Sequence, residues 1–320
     1  MPRLYTLLFC ALAGFIAPAY AQSYPNKPIR FVVPFPPGGA TDVMARALAT
    51  QLNGSLGQPV IVDNRAGAAG AIGSEAVAKA APDGYTLLLG TISTHGTNPA
   101  VNPKLPYDPV KDFTGVSLLA DAPLVLLVNP QAPVNNLQEF LRWAKSSPKP
   151  LAYGSNGPGS YNNLAVELFK ALTGVDLLHV PYKGAGPAIQ DLMAGQIAFG
   201  AHDIAGVAPH MRSGKLKALA VASKQRVPGA EAPTAAEAGV PNFEVTAWYA
   251  LFGPHGMPAP VLTRLHGAVE KAIASPEMQQ VLTNMSAIPV AGSPAQLDAF
   301  VRSEVARWTE VARKANITVD

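Results

Sequence analysis

Cysteine is almost missing from the 320-residue sequence: the single one, Cys10, falls inside the first apolar stretch. A disulfide scaffold is excluded, and a cysteine-held metal cluster with it. Charge is scarce too. Asp, Glu, Lys and Arg make up 14% of the chain, against the usual ~25%. The formal net charge is +3 and scattered, so there is no basic stripe to suit a nucleic acid. Hydrophobic residues reach 48%, which excludes intrinsic disorder. Beyond residue 21 no run approaches the ~18 apolar residues of a membrane span. The nearest, 116–128, is broken by Asp121 and Pro123. There is no G-x-S-x-G elbow and no H-x-x-x-H pair, so neither a nucleophile elbow nor a helical zinc pair is indicated. The chain is instead rich in small and rigid residues, with 28 Gly and 31 Pro.

The first residues form a unit of their own. Residues 1–21 read MPRLYTLLFCALAGFIAPAYA, with Arg3, then an apolar stretch, then Ala19-Tyr20-Ala21. This is the pattern of a secretory signal peptide cleaved after Ala21. A membrane anchor would need a longer run, and Pro18 interrupts this one. Cys10 lies too early for a lipoprotein site. Removing 21 of the 320 residues leaves 299, without cysteine and with a net charge of +2. The expected product is soluble, exported and periplasmic.

Strand-length apolar runs alternate with helical patterns. Strands are expected at 29–35, 60–62 and 85–89, with helices at 42–53 and 69–80 between them. This β-α-β-α-β rhythm is that of a parallel sheet covered by helices. It returns with strands at 124–128, 151–153, 177–180, 197–201 and 216–221, and helices at 137–145, 160–172 and 187–194. From 261 the chain reads as helical, at 261–274, 277–285 and 294–315. Two such units predict an α/β protein of two lobes, each a mainly parallel sheet flanked by helices. The expected division is 22–122 with 222–320 for the first lobe and 123–221 for the second. Ligands of such sheets sit beyond the carboxyl ends of the strands.

Two loops have the composition for that task. FPPGGATD, at 35–42, joins the first strand to its helix. Gly38 and Gly39 permit positive φ and close backbone approach, while Thr41 or Asp42 can cap the helix. GSNGPGS, at 154–160, repeats the arrangement with Ser155 and Ser160 as hydroxyl donors. A helix start offers unpaired N–H groups and a positive dipole end to an anion. From the residues alone the first loop reads equally as a tight turn with an N-cap. Neither loop is a Walker A motif or a complete dinucleotide fingerprint. Other candidates are Thr94 and His95 after the third strand, and His202-Asp203 after 197–201. Trp248-Tyr249 reads as core, and the 67–73 loop as a turn for helix packing.

In order along the chain, YPNKPIRFVVPFPPGGATD (24–42), GQPVIVDNRAGAAGAIG (57–73), PDGYTLLLG (82–90), LAYGSNGPGSYNNLAVELF (151–169) and VPYKGAGPAIQDLMAGQI (180–197) resemble one family. It is the TctC-type, or Bug (Bordetella uptake), extracytoplasmic solute-binding proteins, and the resemblance covers nearly all of the mature chain. It implies a type II periplasmic binding protein, a Venus flytrap that closes on a small organic acid without enzymatic chemistry. It also implies membrane permease subunits of a tripartite tricarboxylate transporter as partners, no cofactor or metal, and a monomer. Carried over, the carboxylate site falls on Phe35, Gly39, Ala40, Thr41 and Asp42 of one lobe. On the other it falls on Ser155, Gly157, Gly159, Ser160 and Tyr161. Thr94, His95 and Asp203 are assigned to the far half of the ligand. Asn162-Asn163 stand where many relatives carry a histidine, and are expected near that far end. The rival classes are a ligand-sensing subunit of a signalling system and a secreted hydrolase with a spatial Ser/His/Asp triad.

Overall fold

The structure is a computed structural model that describes residues 24–319. The leader and its cleavage site lie outside the described residues. The first elements are β1 (Ile29–Val33), α1 (Ala40–Leu56), β2 (Val60–Asn64), α2 (Ala71–Ala78), β3 (Thr86–Thr91) and α3 (Asn98–Val101). Then come β4 (Phe113–Val128), α4 (Leu137–Ser146), β5 (Leu151–Ser155), α5 (Tyr161–Thr173), β6 (Leu177–Pro181), α6 (Ala185–Met193), β7 (Phe199–Asp203) and α7 (Ile204–Arg212). The chain finishes with β8 (Lys217–Val221), β9 (Thr246–Pro254), α8 (Ala259–Ile273), α9 (Pro276–Asn284), β10 (Ile288–Gly292) and α10 (Pro294–Ala315).

Parallel pairing holds in two trios, β2-β1-β3 and β6-β5-β7. Between them run long antiparallel strands. β4 has 16 residues and serves both halves. Its first part pairs with β9 and β10, and its last part, from Leu124, pairs with β7 and β8. The chain therefore enters the second lobe along β4 and returns along the segment that leads into β9. Two strands crossing in opposite senses must pair antiparallel, which is why each sheet is mixed rather than wholly parallel. At the crossing, Pro123 faces Thr246 and the Leu124 N–H donates to the Val245 carbonyl at 3.2 Å. The Ala222 N–H donates to Leu124 and the Val245 N–H to Ala222.

α8 and α9 pack against α1, and α10 lies on β4 and α3 while also touching α5. Arg264 secures α8 to α1 by donating to the Ser55 carbonyl at 2.7 Å. β9, TAWYALFGP, is buried over all but its first residue. A strand covered on both faces shows no apolar–polar alternation, so the sequence pattern marks it as core without marking it as a strand. β10, α7 and the first half of β4 also go beyond the elements expected from the sequence.

Candidate functional site

A cleft of about 520 Å³ lies at the carboxyl ends of both parallel trios. The first lobe lines it with Phe35, Ala68, Ala69, Ser93, Thr97 and Asn98, and the second with Asn156, Pro158, Gly159, Ser160, Tyr161 and Gly184. Val101, Asn102 and Val319 close one side. None of these residues carries a formal charge. A comparable cavity of about 480 Å³ between α5 and α10 is lined by Leu168, Leu172 and Val311 among paired charges. It is lined by the two helices alone and by no strand-end loop, so the first cleft is the candidate site.

In the first wall, β1 ends at Val33, and the chain turns through Pro34 and Phe35 into α1. α1 starts at Ala40 with Gly39 as its N-cap, so Thr41 and Asp42 lie inside the first turn rather than capping it. Asp42 is buried and reaches back. Its carboxylate accepts from the Gly38 N–H, Arg46 Nε and Asn64 Nδ2, each at 2.9 Å. The Arg46 bond, followed by those of Gly38 and Asn64, holds this carboxyl down at about 2. Both its oxygens are engaged in shaping the loop. Gly39, Ala40 and Thr41 are outside the lining of the cleft, and Phe35 is the residue of this loop that lines it.

The loop after β2 forms the next part of this wall. Gly67, Ala68, Ala69 and Gly70 all have positive φ, and Ala68 and Ala69 line the cleft. Two non-glycine residues held there store strain, which is concentrated at functional sites. A Cβ on Gly70 would meet Thr94 Cγ2 at 2.7 Å and Phe35 Cζ at 3.2 Å. This bare position packs the β1 loop, the β2 loop and the π-helical turn Ser93–Thr97 together. The turn-and-packing reading of 67–73 therefore missed its place at the cleft. The available signal was its position, a glycine-rich link after a parallel strand.

Ser93 and Thr97 face the cleft from the π-helical turn, and Thr97 Oγ1 is enclosed without a partner. Thr94 and His95 do not line it. Thr94 Oγ1 accepts from the Thr91 N–H at 2.9 Å and meets His95 Nδ1 at 2.9 Å. His95 is fully buried and stacks on Phe252 with centroids 4.1 Å apart. Burial pushes its imidazole down to about 3, so it stays neutral. These two residues anchor the turn to the core.

The second wall is built on the same plan. Gly157 and Gly159 take φ of 121° and 73°. Ser160 caps α5: its hydroxyl donates to the Gly157 carbonyl at 2.6 Å and accepts the Asn163 N–H at 3.4 Å. The Gly159 N–H donates to Asn163 Oδ1 at 3.0 Å, and Asn162 Nδ2 donates to the Ala201 carbonyl at 3.0 Å. Both asparagines are buried behind the wall, where they bind the loop and β7. Ser155 is fully buried. Its hydroxyl meets His179 Nε2 at 2.6 Å and lies 3.1 Å from both the Gly157 N–H and carbonyl. That pair has the elements of a Ser/His dyad, with the serine fully buried beneath the loop and the histidine half-buried.

Tyr161 lines the cleft and donates its hydroxyl to Asp203 Oδ2. Burial, then the neighbouring Asp203, raises the Tyr161 phenol well above its usual range. Of the residues picked out in the sequence, Phe35, Gly159, Ser160 and Tyr161 line the cleft together. Gly157 and Asp203 are outside the lining and hydrogen-bonded to two of its members, Ser160 and Tyr161.

The family model for the tripartite tricarboxylate transporter family receptor matches residues 44–317. Protein BugT of Bordetella pertussis is 41% identical over 318 residues, 98% of this chain and 98% of that protein. An R. palustris protein solved with adipate is 37% identical, with a TM-score of 0.81 over 92% of this chain and 99% of the other. MatC from Rhodopseudomonas palustris, solved with malate, is 39% identical, with a TM-score of 0.77 over 90% and 99%.

Proposed function

The chain belongs to the tripartite tricarboxylate transporter receptor family, and from that premise we propose that it captures a small organic acid between its lobes for a membrane permease. Members of this family are solute-binding proteins, and capture of this kind involves no bond-making step. The observation that carries the reading is the uncharged cleft at the strand ends, into which α5 opens at Ser160 and Tyr161.

An anion in that place meets the unpaired N–H groups of the first turn of α5 and the positive end of its dipole. The hydroxyls of Ser93 and Thr97 stand on the other side, while that of Tyr161 is committed to Asp203. Closure removes water, and each hydrogen bond strengthens in the lower dielectric. Phe35 and Ala69 supply apolar walls for the carbon skeleton. The acid stabilises the closed form by its differential affinity, and the closed form is what the permease reads. The proposed setting is the periplasm, reached through the 1–21 leader, and the proposed working unit is a monomer.

A thermal-shift screen of carboxylic acids followed by calorimetry tests this. At least one acid should raise the melting temperature according to its excess over Kd. Phe35→Ala combined with Ser160→Ala should weaken that acid by roughly tenfold or more. Unchanged affinity in the double variant would remove the site, and silence across the whole panel would remove the function.

A further inference from the structure

The lining of the cleft is uncharged, yet one carboxyl group is hydrogen-bonded to a lining residue, Tyr161. Asp203 ends β7 and occupies the N-cap position of α7, but its side chain makes no bond to that helix. It turns instead to Tyr161, which holds Oδ2. Oδ1 is enclosed and has no partner. β7 runs parallel to β5, so Asp203 emerges on the same side as the cleft loop 155–161. Its pairing with Leu124 sets it at the crossing between the lobes.

Tyr161 approaches Asp203 from α5 and Tyr249 from β9. Burial, and then the charge of Asp203, pushes the Tyr249 phenol upward. Tyr249 pairs with Thr91, whose Oγ1 is likewise enclosed without a partner. No basic group offsets the burial of Asp203, which lifts its carboxyl to about 6 against the pull of the Tyr161 hydroxyl. A buried carboxyl oxygen with no donor is costly. A site that tolerates one is matched to a ligand that brings the donor, and it repels a second carboxylate at the same point.

We propose that Asp203 is a specificity determinant, whose free oxygen accepts a hydrogen bond from a hydroxyl or ammonium group on the far part of the bound acid. The ligand class is then hydroxy or amino acids rather than plain dicarboxylates. This rests on the capture reading above, with the acid's carboxylate at the start of α5. Tyr161 is a positioning residue that fixes the rotamer of Asp203 and so aims Oδ1.

The test titrates the full chain with acids matched in carbon number: succinate, malate and aspartate; glutarate, 2-hydroxyglutarate and glutamate; adipate and 2-aminoadipate. In the best-bound set, the hydroxy or amino acid should bind at least about tenfold tighter than the plain diacid. Asp203→Ala should bring that ratio close to one while the plain diacid still binds. Asp203→Asn keeps the shape, and should improve the plain diacid by relieving charge repulsion. A plain diacid that binds the native chain best, or a ratio that survives in Asp203→Ala, overturns the inference and leaves the capture reading intact. If no acid of any length binds, both fall.

Discussion

The two walls of the cleft follow one plan and differ in one atom type. Each has a parallel strand, a glycine-containing loop and a helix, α1 or α5. In each, the third helical residue reaches back to the N–H of the glycine just before the N-cap. On α1 that residue is Asp42, which accepts from Gly38 at 2.9 Å. On α5 it is Asn163, which accepts from Gly159 at 3.0 Å. A carboxylate at the start of a helix neutralises its positive end, whereas an amide leaves it available. On the proposed reading the first lobe therefore contributes walls and hydroxyls, and the second contributes the helix start that meets the anion.

The glycines separate the walls most sharply. A Cβ on Gly159 would come within 2.6 Å of Val319 Cγ2 and 2.9 Å of Val101 Cγ2, and its φ is +73°. The Val319 N–H is fixed to the Val101 carbonyl at 2.8 Å, so these neighbours cannot simply withdraw. Gly159→Val should wedge the second wall off the first and weaken acid binding by about a hundredfold, through overpacking and left-handed strain. Calorimetry gives the affinity, and small-angle scattering should show a chain that no longer compacts with ligand. Full affinity would mean that the lobes do not meet through this contact.

The crossing between the walls offers a smaller effect with a defined pH window. Burial, then the charge of Glu304, raises the Asp121 carboxyl from 3.8 to about 6, while Lys224 opposes the shift. Glu304 is itself held by the Trp248 and Trp308 indoles at 3.0 Å each. The fold thus prefers protonated Asp121. The penalty is complete above the folded value of about 6 and fades as the pH falls towards 3.8. Asp121→Asn should add about 1–3 kcal/mol of stability at neutral pH and nothing in strong acid. Urea unfolding at neutral pH and near pH 4 checks the difference, and equal effects at both would contradict it. The smallest effect belongs to the first wall. Gly39 has ordinary φ, and its nearest outside atom is the Pro36 carbonyl oxygen at 3.9 Å. Gly39→Ala should change stability by no more than ~0.5 kcal/mol and leave binding unchanged.

The repeating β-α units were legible because their signals are local. Ile29–Val33 is a β-branched run, and Gly57 and Gly174 end α1 and α5 in left-handed caps. Loop chemistry was legible in part: GGATD and GPGSYNN both show a glycine followed by a polar third helical residue. Which loop keeps its helix start open was not, because that depends on hydrogen bonds across the turn. β9 and the first half of β4 were hidden by burial on both faces. The run STHGT has no period that distinguishes a π-helical turn from a loop. The share of Ala68 and Ala69 in the cleft depends on the neighbouring Gly70, which lies against Phe35 and Thr94, far apart in the chain.

On the capture reading, an uncharged helix start, kept open by Asn163, holds the acid. The direct measurement is calorimetric titration of Asn163→Asp, beside Asp42→Asn, with the acid that stabilises the native chain most. Asn163→Asp should weaken binding by about tenfold or more at neutral pH, since it places a negative charge beside the ligand carboxylate. Asp42→Asn should bind as well as the native chain or better. Equal affinity in the native chain and Asn163→Asp, with both folded by melting temperature, would contradict the claim.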